Sequence, residues 1–447
     1  MKKLCTKLVA VIVVFAMSLS FCSCGLTDSI VSSISSLINP KGIVEDVSLG
    51  YIEIDKTPFN FCDYYTQITC RESYNLLEND NMRKLYDMLF DSAYFVYPAA
   101  YVQNEYKCRQ VILEDSALTQ AQIRLTIKAL TDDNPHIFWL STTFGYLSSV
   151  EENYTAVQLY SRLEPHELQT SVARLKVMTD EFYSSLEKGM TPYQLELYIH
   201  DFIIDKCEYD TDVMSSDNVP ADKASAFDPY GVMVKGVAVC EGYARTFQML
   251  CNGVGIRCVI VIGESEGELH MWNAVELDSD FYYVDTTWDD KDSNAFRYDY
   301  FNITTDQLSI DHEFSPLSSE MTDEQICGDD TLNALTSNFM IPDCDSTDYN
   351  YYVRSCVALT DYSGDELIDS LLTTASKKKD VFHFYIDPEH LTFDYAIDQL
   401  FYTYPQYFFS YIETVNYSLP DYSIDTYNLN LYQKDWLSTV TVILEYI

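Results

Sequence analysis

The amino-acid sequence predicts an α+β protein whose central domain packs a helix, opened by a cysteine, on an antiparallel sheet that carries a histidine and an aspartate. The helix is read from Tyr243, Phe247, Leu250, Cys251 and Val254, which recur at helical spacing directly behind Cys240, with Asn252-Gly253 as a stop. The sheet is read from the β-branched run Arg257 to Gly263 and from two strand patterns, His270 to Leu277 and Asp280 to Asp285, flanking the hairpin signal Asp278-Ser279. A composition of 47% hydrophobic and 14% aromatic residues over 447 positions supplies packed cores for two or three domains and excludes general disorder.

From the N-terminus, residues 1–24 read as an export signal: a basic start (MKKLCTK), an apolar run from Leu8 to Met17 too short to span a bilayer, then small residues. Its end, Leu19 to Gly25, resembles a bacterial lipobox. Cys24, preceded by the small Ser23, is the lipidation candidate, and Phe21 departs from the leucine usual at that position. Residues 25–47 are Ser-rich and read as a tether. Residues 48–189 read as an α+β region. Its elements are a helix over Tyr74 to Phe95, a strand at Val111 to Leu113, a helix over Thr119 to Leu130, a hairpin from Phe138 to Leu147 and Thr155 to Leu163, and a long helix over Glu164 to Leu186. His136, next to Pro135, reads as a structural residue.

Residues 190–316 form the core just introduced, entered through a helix that Thr191-Pro192 opens, with proline at a tolerated first-turn position. Residues 317–348 read as a linker. Residues 349–447 read as a small α+β domain with strands at Tyr351 to Leu359, Val381 to Ile386 and Trp436 to Tyr446, and helices at Gly364 to Ser376 and Phe393 to Tyr402.

Charge restricts the partners. The chain holds 28 Lys+Arg against 69 Asp+Glu, and losing Lys2, Lys3 and Lys7 with the signal takes the remainder from −41 to −44. Such a surface repels nucleic acid and other polyanions and favours cationic partners. Ten cysteines follow Cys24 without C-x₂-C spacing, so no metal site is expected; most of these cysteines read as buried thiols rather than a disulfide framework. The acidic stretch Asp289 to Asn294 lacks the glycine and distal glutamate of an EF-hand and reads as a solvated turn.

In the core, Cys240, His270 and Asp285 occur in the order and types that covalent acyl chemistry requires: nucleophile, base and orienter. At a helix start, the macrodipole and unpaired N–H groups favour a thiolate and can receive an oxyanion. A two-residue turn at Asp278-Ser279 would pair Leu277 with Asp280 and set Asp285 opposite Trp272, on the face His270 shares. A three-residue turn would send it to the other face.

The motifs GVAVCEGYA, HMWN and YYVDTTWDD resemble the transglutaminase-like core of the papain-like cysteine protease superfamily, and the likeness extends from about Thr191 to Phe314. LYIHDFIIDKCEYDT, Pro229-Tyr230-Gly231, and Tyr300-Phe301-Asn302 followed by Asp311-His312 resemble its bacterial branch; Met271 stands where most such domains carry a small residue. The resemblance implies Cys240 as nucleophile, His270 as base and Asp285 as the residue orienting the imidazole. It implies a thiol enzyme acting on protein or peptide amides through a thioester, with no cofactor; hydrolysis is slightly favoured over transamidation because nothing in the sequence marks a lysine-binding tunnel or a calcium switch. With the export signal, the expected location is the outer face of the bacterial cytoplasmic membrane, lipid-anchored, or else secreted. The alternative is a non-catalytic surface lipoprotein that uses the fold as a binding module.

Overall fold

The computed structural model describes residues 50–316 and 337–447, apart from residues 58, 60–63, 101–104, 215–218 and 292. The signal segment, Cys24, the whole tether and most of the linker therefore lie outside the described residues. No described helix is long and apolar enough to cross a membrane. The chain divides into two compact units, one of residues 1–274 with 312–342, the other of residues 275–311 with 343–447.

The first unit opens with a six-stranded antiparallel sheet, in which Leu140–Ser149 and Tyr154–Ser161 make the expected hairpin. Three helices follow the sequence reading closely: Gln120–Asp133, capped by Thr119 with Gln122 returning the bond; Pro165–Ser185; and Pro192–Lys206, capped by Thr191 and Gln194. The helix expected over Tyr74 to Phe95 is broken into Glu72–Asn75 and Asp80–Ala93. Asn79 causes the break: its side chain accepts the N–H groups of Asn81 and Met82 and so starts a new helix. His136 is structural as expected. Its Nε2 lies 3.0 Å from the Tyr94 hydroxyl, and burial, then Lys176, lower its pKa to about 4.

The helix opened by Cys240 runs Cys240–Gly253, starting and stopping where the sequence places it. Behind it, Cys258–Ser265 and Glu268–Leu277 are adjacent strands, and His312–Phe314 pairs antiparallel with the other edge of Cys258–Ser265. Glu268–Leu277 itself runs on from the first unit into the second.

In the second unit, Asp280–Val284 pairs antiparallel with Phe301–Ile303. A four-stranded sheet is built on Val381–Ile386, which takes Val357–Leu359 in parallel on one side and Thr439–Ile443 antiparallel on the other. Its core holds Leu367 and Leu371 from the helix Asp365–Ser376 and Phe408 and Ile412 from Tyr407–Ser418. The strand expected over Tyr351 to Leu359 begins instead as a helix, Tyr351–Ser355, because Asn350 accepts the N–H groups of Tyr352 and Val353. Only Val357–Leu359 is extended. The closing strand is likewise shorter, Thr439–Ile443, since Ser438 takes a left-handed φ of 51° that separates it from Trp436.

All eight described cysteines are free thiols, and only Cys356 is not fully buried. Burial pushes Cys70, Cys344 and Cys356 up to about 12.

Candidate active site

Cys240 sits on the first turn of its helix and is buried, at 8% exposure. Val239, the preceding residue, supplies no side-chain cap, so the N–H groups of this turn are not taken by one. A close backbone approach sets the entry to the helix: Val239 N–H donates to Ala226 O at 3.0 Å. A Cβ on Gly242 would stand 2.4 Å from that same carbonyl oxygen and 2.8 Å from Ala238 Cβ. Only glycine fits there, which explains the CEGY order on steric grounds. Glu241 and Arg245 form an i,i+4 ion pair at 2.7 Å, and Arg245 also donates to Thr131 O at 3.0 Å. Burial depresses the Arg245 pKa, but Glu241, Asp132 and Asp228 together raise it above its usual value. Gln248 donates to Asp132 O, so two side chains bind the Cys240 helix to the end of Gln120–Asp133. Asp228, just upstream, pairs with Arg162; burial lifts its carboxyl to about 6 against that pull.

His270 lies on the strand Glu268–Leu277 and is 7% exposed. Alternation divides this strand. Met271, with Leu269 beside it, packs against Ala244 of the Cys240 helix and against Ile260 and Ile262. Asn273 Nδ2 donates to Ala244 O at 3.0 Å and to Val259 O at 3.3 Å. The strand is thereby clasped to the helix one turn past Cys240. Met271, larger than the usual residue, fills an apolar gap instead of disturbing it.

The other parity, His270 and Trp272, faces the opposite way. Their rings stack at 5.8 Å and 26°. His312 closes on both, 5.5 Å from His270 and edge-on to Trp272 at 5.1 Å, and Phe314 adds a contact to the indole at 5.7 Å. Gly263, on the strand between, makes this cluster possible. A Cβ there would meet Trp272 Cη2 at 2.6 Å and Glu313 O at 1.9 Å. Gly263→Ala is expected to lower stability by about 1–3 kcal/mol, the usual cost of overpacking. Denaturant melts of parent and variant measure it, and equal midpoints would contradict the tight contact.

Asp285 lies in the second unit, buried at 1%. It caps the short helix Thr286–Asp289: Oδ1 accepts Thr287 N–H at 2.9 Å and Trp288 N–H at 3.0 Å. Its own N–H donates to Tyr300 O at 3.0 Å, and Tyr300 N–H donates to Asp289 Oδ1 at 2.9 Å. The DTTWD segment is therefore a device that holds one carboxylate still. Asp278 and Ser279 both have positive φ, 49° and 79°, the signature of a two-residue type I′ turn. That is the shorter of the two turns the sequence left open.

With this geometry, comparison with known proteins is informative. Residues 181–286 match the Transglutaminase-like superfamily, a span that contains Cys240, His270 and Asp285. The chain carries a transglutaminase-like domain. The superfamily is typically cysteine-dependent. Kyphoscoliosis peptidases of Mus musculus and Homo sapiens are each 26% identical over 187 residues, covering 37% of this chain and 27% of theirs. The chain thus spans about a quarter of the length of the curated relatives it matches. Among solved structures, one described as a TGase aligns at 14% identity over 30% of this chain and 41% of its own, with a TM-score of 0.19. A protein of Cytophaga hutchinsonii solved as a candidate cysteine protease aligns at 13% over 43% and 70%, with a TM-score of 0.20.

Within and around the transglutaminase-like domain, sequence reasoning passed over three structural roles. The cap made by Asp285 was legible, since an aspartate before Thr-Thr-Trp is an N-cap pattern. The clasp by Asn273 was not, because it depends on which strand lies under the helix. Nor was the place of His312. Its strand, His312–Phe314, is three residues long and shows no period, and it lies beyond the end of the family match.

Proposed function

We propose that this protein is a thiol enzyme of the bacterial cell surface that attacks protein or peptide amides through Cys240, forming a thioester acyl-enzyme. The observation that supports this reading is Cys240 on the first turn of its helix, inside a span that matches the transglutaminase-like superfamily and also contains His270 and Asp285. The start of that helix, which has no side-chain cap, offers N–H donors to the tetrahedral oxyanion. In this reading His270 takes the thiol proton and returns it to the leaving amine, so the C–N bond breaks as the C–S bond is made. In this reading Asp285 is the residue that orients the imidazole, the role that the order of the three residues gives it.

Water or an amine then accepts the acyl group. Hydrolysis is favoured slightly: the matched relatives are named peptidases, and the sequence marks no lysine-binding tunnel. The decisive experiment maps the cysteine labelled by a thiol-reactive amide probe, then follows peptide-amide turnover with and without added amine. A hyper-reactive Cys240 is expected. Labelling spread evenly over the thiols would favour a binding module instead.

The surface location rests on the signal segment ending at Cys24. The parent protein is expected to enter the detergent phase on phase separation and Cys24→Ala to leave it. Equal partitioning of the two would overturn the lipid anchor.

A further inference from the structure

We infer that His270 and His312 form a binding site for one divalent transition-metal ion, and that its occupation silences the enzyme. The two imidazoles come from strands on either side of Cys258–Ser265, and Gly263 on that strand leaves room for Trp272, which packs against both rings. Their ring centroids are 5.5 Å apart, and a ring nitrogen of one lies within 4.8 Å of a ring nitrogen of the other. An ion bound at about 2.0–2.1 Å from each nitrogen spans roughly 3.4–4.2 Å between them, so a small ring rotation closes the pair on it. Both rings are nearly buried, at 7% and 2%, and Trp272 packs against both. Neutral imidazole selects zinc, cobalt, nickel or copper over calcium and magnesium. The formal charge of −41 concentrates cations around the chain.

Metal binding occupies the lone pair of His270, and with it the site for the thiol proton. The ion is therefore an inhibitor, not a cofactor. Binding stands on the geometry alone; the inhibitory consequence rests on His270 being the base.

The test starts with full-chain Cys240→Ala, in which no thiolate competes, titrated with Co²⁺ in excess Mg²⁺ to mask surface carboxylates. One Co²⁺ per chain is expected, with a visible d–d band of nitrogen coordination. His270→Gln, His312→Gln and the bulk-preserving His312→Phe are expected to weaken binding at least about tenfold, the loss that even a change beyond the ligands brings. Circular dichroism confirms the fold of each. His390→Gln, which alters an exposed histidine paired with Asp387, is expected to bind as its parent does. Equal Co²⁺ affinity across all these variants would overturn the site.

In the parent enzyme, Zn²⁺ is expected to slow alkylation of Cys240, EDTA to restore it, and His312→Phe to raise the half-inhibitory concentration about tenfold or more. Co²⁺ binding with no effect of Zn²⁺ on alkylation would leave the metal site standing and overturn the role given to His270. Turnover after dialysis against EDTA is expected to equal or exceed that of untreated enzyme. A strict need for added calcium would contradict a metal-free mechanism.

Discussion

Cys240→Ala is expected to abolish covalent turnover, a fall of about 10⁴-fold or more in kcat, and His270→Ala to cost nearly as much. On the proposed mechanism the two residues act as a unit: without the base nothing takes the thiol proton, and without the thiol the base has nothing to activate. The double variant should therefore be no worse than either single one. Single-turnover kinetics on a chromogenic peptide amide, with alkylation of Cys240 followed in parallel, measures both steps. The structural grounds lie in the helix Cys240–Gly253, whose first turn has no side-chain cap, and in Asn273, which holds the His270 strand to Ala244. Retention of turnover in Cys240→Ala would transfer the chemistry elsewhere. Strictly additive losses would mean that Cys240 and His270 do not work together.

The second large effect separates two roles of one residue. Asp285 caps the helix Thr286–Asp289 with Oδ1, a task asparagine performs about equally well. Asp285→Asn should therefore leave stability within about 0.5 kcal/mol of the parent. The amide lacks the negative charge that steadies an imidazolium and can present N–H where the carboxylate presented oxygen. Turnover should fall about 10²–10⁴-fold, less than for Cys240→Ala. Asp285→Ala should lose the catalytic contribution and also about 0.5–2 kcal/mol of stability with the cap. Thermal melts beside kcat measurements on the three proteins resolve the roles. An Asp285→Asn enzyme as fast as the parent would reduce the residue to a helix cap.

Much of the domain is legible in the order of its amino acids. The helix from Cys240 to Gly253 follows from spacing and from the Asn-Gly stop, because helix propensity and periodicity are local properties of the chain. The hairpin at Asp278-Ser279 follows from turn chemistry; residue order leaves open which turn it adopts, and left-handed φ at both residues selects the two-residue form. Side chains that cap helices override periodicity at two places. Asn79 splits one expected helix, and Asn350 turns the first half of an expected strand into a helix. In both cases a short-range hydrogen bond outweighs a weak apolar pattern.

By itself the sequence determined the residue types of the chemistry, their order, and the local elements that bear Cys240 and His270. Tertiary structure alone decided that Asn273 ties strand to helix, that Gly242 and Gly263 stand where a single methyl group would collide, and that His312 reaches His270. The physical reason is range. Caps, turns and periodicity are set by neighbours a few residues away, whereas the packing of residue 312 against residue 270 depends on strand order and on Gly263, which leaves room for the Trp272 that both rings contact.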